Sequence, residues 1–357
     1  MAESTYREKK AREIIELARE TIRQLPPACG QFIRSIEPTT TPLTRLGYAR
    51  DLRLFFQFLQ KEIPLFGQPP LYEWNDSILD KVTEDHIEQY MEYLSYYVND
   101  DDEGITNDTP GKMRKLAALR SFYKYLFKSH RVSANTALLV DMPKRHEKPI
   151  LRLEIDEMAR MLDLAESGES LTEHQKKYHD RTKLRDLTIL TVFLGTGVRV
   201  SELVGLNVED IDFSTNGFLV TRKGGNQVIL YLPDEVADQL KTYMEWRKTV
   251  EPLPGHESAL FLSLQNKRIS VRAVEIMVKK YGCMAAPLKK RLSPHKLRST
   301  FGTNLYNETG DIYIVADVLG HSDVNTTRRH YAAIQDDRRR MAAKRVVLRG
   351  DESGEKP

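Results

Sequence analysis

The chain has 357 residues, 40% hydrophobic and 29% charged. That is long enough for two domains with cores of their own, and no apolar run approaches the ~18 residues that would suggest a membrane span. Lysine and arginine number 54 against 51 aspartate and glutamate, and Cys29 and Cys283 stand far apart without CxxC spacing; the charge balance therefore names no partner, and the cysteines argue against a zinc site or a disulfide framework and suit a reducing cytoplasm.

The N-terminal "MAESTYREKKAREIIELARE" is charged and helical in pattern. It has no apolar h-region and does not read as a secretory signal. In "TRLGYARDLRLFFQFLQ" (44–60), Tyr48, Leu52, Phe55 and Leu59 recur at helical spacing, with Arg45, Arg50 and Arg53 in the same segment. The threonines ahead of it offer an N-cap. "TEDHIEQYMEYLSYYV" (83–98) is a further helix candidate. In "GKMRKLAALRSFYKYLFKSH" (111–130), Leu116, Leu119, Tyr123 and Leu126 make a stripe flanked by Phe122 and Phe127, with Lys112, Arg114 and Lys115 around it. About four helices and no strand are expected in this half. "NDDDEGITNDTPG" (99–111) breaks the pattern and reads as a solvated loop.

"DMPKRHEKPI" (141–150) has two prolines bracketing Lys144, Arg145, His146 and Lys148 and no apolar stripe, which marks a linker. The expected division is a helical extension at 1–36, a helical domain at 37–141, a linker at 142–150, a second domain at 151–335 and a basic C-terminal segment at 336–357. The second domain opens with the helix "LEIDEMARMLDLAE" (153–166). "RTKLRDLTILTVFLGTGVRVSELVGLN" (181–207) is an apolar helix, a glycine break and a new helix start. "IDFSTNGFLVTRKGGNQVILYLP" (211–233) is a strand-turn-strand pattern. Helices follow at 234–250, 270–282, 293–310 and 311–320, several with glycine stops.

Chemistry-bearing residues collect in this half. In "SPHKLR", His295 and Arg298 lie three apart near the start of a helix, where an anion is favoured. In "GTGVRVSEL", Glu202 is spaced to hold the Arg199 guanidinium. Lys223 sits beside two glycines at the hairpin tip, His321 follows a helix stop at Gly320, and Tyr331 comes later, beside His330. Singly, each has a plain alternative: an exposed i,i+3 ion pair, a solvated hairpin lysine, a packing aromatic. Together they meet the needs of phosphodiester transfer. Two arginines neutralise charge on non-bridging oxygens. A tyrosine with pKa near ~10 can attack if a base or cationic pocket serves it. A lysine or histidine can protonate the departing alkoxide. No acidic triad or His/Cys spacing suggests a metal.

The motifs "TGVRVSEL", "RKGG", "PHKLRSTFGTNL", "LGHSDVNTT" and "HYAAI", in this order over roughly 150–335, resemble the tyrosine recombinase (phage integrase) family, and within it Xer-like site-specific recombinases. The resemblance implies a mainly α fold with a small β-hairpin sheet: an N-terminal helical, SAM-like core-binding domain plus an α/β catalytic domain of the DNA breaking-rejoining type. It implies that Arg199 and Arg298 grip the scissile phosphate, Lys223 protonates the leaving 5′-oxygen and His295 is general acid/base. His321 bonds a phosphate oxygen, Tyr331 is the nucleophile and Glu202 is supporting. No metal or cofactor is implied. Double-stranded DNA is the expected partner, met also by Arg45, Arg50, Lys112, Arg114, Lys115, Lys144 and Arg145, with affinity falling steeply with salt. A homotetramer on paired sites, or a pairing with a second recombinase, follows from the family, as does a place at the bacterial nucleoid. The 336–349 stretch is a candidate for a segment exchanged between protomers; a basic tail is the alternative. A type IB topoisomerase-like nicking-closing enzyme and an inactive DNA-binding protein remain the competing functions. One departure is visible: the family's usual nine-residue step from the second histidine falls on His330, and Tyr331 is tenth. Tyr306 and Tyr313 precede His321, and no tyrosine follows Tyr331.

Overall fold

The computed structural model describes residues 6–99, 101–144, 151–222, 225–289, 292–320 and 324. The chain divides into two units, Met1–Lys148 and Pro149–Pro357. Among the described residues no helix is long and apolar enough to cross a membrane.

The first unit holds α1 (Tyr6–Arg23), α2 (Pro27–Ser35), α3 (Pro42–Glu62), the single turn α4 (Asp76–Leu79), α5 (Glu84–Tyr93), a two-stranded sheet β1 (Tyr97–Val98) and β2 (Gly104–Ile105), α6 (Thr109–Lys128) and the short α7 (Thr136–Leu139). Helix α3 starts where Thr41 accepts a hydrogen bond from the Thr44 N–H (3.3 Å), with Pro42 in the first turn, where a missing N–H costs nothing. Its stripe Leu52, Phe55 and Leu59 is fully buried, and Phe56 and Phe58 widen the arc. Phe56 meets Phe122 of α6 edge-on at 5.9 Å, and Phe122 meets Phe32 of α2 at 5.5 Å.

Two expectations change here. Residues 27–35 are not an extension outside the domain: Ala28, Cys29, Phe32 and Ile33 share one core with α3 and α6. The 99–111 stretch is not wholly loop. Tyr97 pairs with Ile105 and Val98 with Gly104. Asn99 knots the turn, its N–H donating to Glu103 O (3.0 Å) and its side-chain oxygen accepting from the Glu103 N–H (2.8 Å). Strands of two residues are too short to show an alternating pattern in sequence.

The second unit holds α8 (Ile155–Ser167), α9 (Glu173–Thr196), α10 (Val200–Gly205), strands β3 (Ile211–Asp212), β4 (Gly217–Thr221) and β5 (Gln227–Tyr231), then α11 (Asp234–Lys248), α12 (Val271–Ala285), α13 (Pro294–Thr309) and α14 (Ile312–Leu319). The sheet is antiparallel in the order β3-β4-β5, with Phe218 opposite Leu230 and Val220 opposite Val228. Helix α9 starts eight residues before the apolar run at 181, where Thr172 and Gln175 form a capping box. Helix α14 packs on α13 through Tyr306, Val315 and Leu319, backed by Phe301 and Leu305.

A buried charge holds α9 to α12. Asp186, 2% exposed, accepts from Arg185 Nη2 (2.7 Å) and Tyr281 Oη (3.3 Å) and lies 3.7 Å from Lys280 Nζ. Burial pushes the Lys280 pKa down, and burial together with the Asp186 charge pushes the Tyr281 pKa up. Asp186→Ala strands two cations in this pocket. It is expected to destabilise the second unit by about 3 kcal/mol, read as a shift in its chemical denaturation midpoint.

Candidate active site

Helix α9 stops at Gly197, whose φ of +62° is the left-handed cap that suits glycine; a Cβ there would run into the Phe301 ring. The turn delivers Arg199 as the residue that starts α10. Glu202 then reaches back, one oxygen accepting from the Arg199 backbone N–H (3.0 Å) and the other from its Nη1 (2.8 Å). Glu202 is buried, so the guanidinium is held from behind while the side chain stays 35% exposed.

Helix α13 starts at Ser293, whose carbonyl accepts from the Lys296 (2.8 Å) and Leu297 (3.1 Å) N–H groups, with Pro294 in the first turn. The Ser293 hydroxyl makes no cap bond. His295 is exposed on this first turn, and Arg298, one turn on, is buried. Arg298 Nη1 donates to Gly197 O (2.6 Å) and Nη2 to Leu319 O. Arg199 Nη2 donates to the next carbonyl, Gly320 O (3.0 Å). Two arginines distant in sequence thus end on consecutive carbonyls at the finish of α14, the electronegative end of a helix. The chain continues from that point into His321.

Sequence reasoning missed a third arginine here. Arg222, at the end of β4, sends Nη1 to Asp317 O (3.2 Å) and Nη2 to Val318 O (2.7 Å). Its pKa is lowered, chiefly by burial; Glu202 opposes that shift and Arg199 adds to it. Gly320, φ +61°, leaves space for it: a Cβ at 320 would occupy the position of the Arg222 guanidinium. Arg222 stands within the "RKGG" motif, but no local pattern links a strand end to a helix end so far along the chain. Lys223, His321, Tyr331 and Arg145 lie outside the described residues.

What gathers is a cluster of three guanidiniums on the end of α14. A guanidinium has five N–H donors in a planar fork, the geometry that suits bidentate contact with a tetrahedral oxyanion, and Arg199 is the half-open member of the group, its side chain 35% exposed.

The basic residues of the first unit separate into two groups. Arg50 and Lys144 are exposed. Arg114, paired with Asp51, is still 57% exposed, and Lys112 donates to Ser95 Oγ (2.6 Å). Arg45 and Lys115 are buried. Arg45 donates to Thr40 O (3.0 Å) and pairs with Glu37 (3.2 Å); Lys115 donates to Asn107 Oδ1 (2.8 Å), and burial pushes its pKa down. Their charges are spent on the protein's own acceptors, which revises the expectation that they meet phosphates.

The model of the phage integrase family matches residues 152–338. Tyrosine recombinase XerC of Caldanaerobacter subterraneus subsp. tengcongensis is 32% identical over 336 residues, covering 90% of this chain and 87% of that protein. Tyrosine recombinase XerD of Staphylococcus epidermidis is 32% identical over 231 residues, 64% of this chain and 73% of that protein. Among solved structures, XerH site-specific recombinase bound to palindromic difH substrate aligns with a TM-score of 0.63 at 18% identity over 85% of this chain and 80% of that one. The Tn1549 transposon integrase with circular intermediate DNA aligns with a TM-score of 0.61 at 20% identity over 89% of this chain and 99% of that one.

Proposed function

Because the chain belongs to the phage integrase family and is a tyrosine recombinase of site-specific DNA recombination, we propose that it cuts and rejoins duplex DNA through a covalent bond to Tyr331. The Tyr331 phenolic oxygen attacks the scissile phosphorus, and its proton passes to His295. The bond from phosphorus to the 5′-oxygen breaks, and that oxygen takes a proton from Lys223. The products are a 3′-phosphotyrosyl link and a free 5′-hydroxyl. Arg199, Arg298 and His321 hold the non-bridging oxygens, where charge builds in the transition state, and Glu202 keeps Arg199 aimed. The phosphotyrosine retains the ester's energy, so a second 5′-hydroxyl can attack it in reverse without ATP. With two arginines neutralising the phosphate, no step calls for a metal.

The observation that carries this reading is the convergence of Arg199 and Arg298 on Gly320 O and Leu319 O, the two carbonyls immediately ahead of His321. Strand exchange through a Holliday junction then requires four protomers on two sites, supplied by this chain alone or with a second recombinase. Arg50, Lys112, Arg114, Lys144 and Arg145 would meet the duplex backbone, in the cytoplasm at the nucleoid.

The test is trapping. The full chain is incubated with a panel of duplexes built on the core sites of Xer-type relatives, each nicked just 3′ of the scissile phosphate so that the short cleaved fragment diffuses away. An SDS-resistant protein–DNA adduct is expected on at least one, with the nucleotide mapped by mass to Tyr331 and a 5′-hydroxyl on the released fragment. A 5′-phosphate, or no adduct on any site, would contradict the mechanism.

A further inference from the structure

Arg222 has no part in the chemistry above, yet both halves of it are committed. Its backbone closes the hairpin tip: the N–H donates to Asn226 O (2.7 Å) and the carbonyl accepts from the Gly225 N–H (3.1 Å). Only residues 223–225 separate Arg222 from Asn226. Its side chain leaves the sheet and forks onto Asp317 O and Val318 O, so four successive carbonyls, from Asp317 to Gly320, are taken by three guanidiniums. The fork has a cost. Arg222 Nε is buried without an acceptor, and the guanidinium fills the space of a Cβ at Gly320. A solvated edge charge would not leave an N–H unsatisfied.

The geometry points to Arg222 as a positioning residue: it fastens the end of β4, one residue before Lys223 in sequence, to the end of α14, and so governs how the proton donor is presented to the phosphate. A lysine could not replace it, since one ammonium cannot bridge two carbonyls in a planar fork. The inference rests on the reading of Lys223 as the acid, and the chemistry of the leaving group can test the two apart.

The probe is the nicked duplex that gives the adduct, made with oxygen or with sulfur at the bridging 5′ position of the scissile phosphate. When the phosphorus–sulfur bond breaks, sulfur leaves as a stable thiolate and needs no proton, because a thiol's pKa of ~8.5 lies far below an alcohol's. Lys223→Ala should be slow on oxygen and restored on sulfur. Arg222→Ala and Arg222→Gln should bind the duplex, cleave the oxygen form about 100-fold slowly, as a displaced catalytic group does, and recover on sulfur as Lys223→Ala does. Arg222→Lys should fall between. Arg222→Gln, which keeps one donor nitrogen with two N–H groups, guards against a folding defect in the alanine variant. If Arg222→Ala and Arg222→Gln match wild type on oxygen, or stay slow on sulfur while Lys223→Ala recovers, Arg222 does not position the acid. If Lys223→Ala itself gains nothing from sulfur, the acid assignment falls and the role of Arg222 falls with it.

Discussion

Tyr331→Phe is expected to bind the target duplex as wild type does and to give no SDS-resistant adduct. The change removes one oxygen and leaves every cationic side chain in place, so phosphate binding persists while the nucleophile is gone. A phenol with pKa near ~10 reacts at neutral pH only where a base and cations serve it, so another tyrosine could not substitute merely by being present. Tyr306 is buried between α13 and α14 at 5% exposure. Tyr313, 70% exposed at the first turn of α14, is the other tyrosine that shortly precedes His321 in sequence. An adduct surviving in Tyr331→Phe and lost in Tyr313→Phe would overturn the assignment. The same pair of variants addresses the ten-residue step from His321. His330 occupies the usual ninth position but is adjacent to Tyr331, and on a helix it would point about 100° away from it.

How far the sequence disclosed this arrangement depends on the range of the signal. Periodicity within one helix was legible: Leu52, Phe55 and Leu59, and Leu116, Leu119 and Leu126, are buried where their stripes put them. The same phase held information the basic residues obscured. Arg45 stands three before Tyr48 and seven before Leu52, and Lys115 four before Leu119, so both lie on the buried face, where a long charged chain needs an internal partner. Arg199 and Glu202 were readable because a three-residue spacing makes them neighbours, and the structure adds the backbone bond that makes the pair a cap. The placement of α2 in the core, the knot at Asn99 and the grip of Arg222 on α14 were not readable. Each joins groups whose pairing depends on how elements pack or on a single side-chain geometry, and no local repeat encodes that.

Arg298→Lys is expected to slow adduct formation by about 1,000-fold, and more than Arg199→Lys does. Removing one preorganised donor from a developing oxyanion costs roughly 100- to 1,000-fold, and lysine keeps the charge but loses the planar fork. At Arg298 the loss reaches further. The side chain is 6% exposed and ties Gly197 O to Leu319 O; one ammonium cannot satisfy both, and an abandoned buried carbonyl destabilises by about 1–3 kcal/mol. Gly197 is the turn that aims Arg199, and Leu319 leads through Gly320 into His321, so the substitution loosens two other members of the site. Arg199 is more open and is held independently by Glu202, so Arg199→Lys should lose rate with little loss of stability. Single-turnover adduct rates and melting curves of the two variants and their double mutant separate the terms. Because Arg298 acts partly through the position of Arg199, the double mutant should fall well short of the product of the single losses. Strict multiplicativity, or an Arg298→Lys variant within a few-fold of wild type, would mean that the two arginines act separately and that the shared helix end does not couple them.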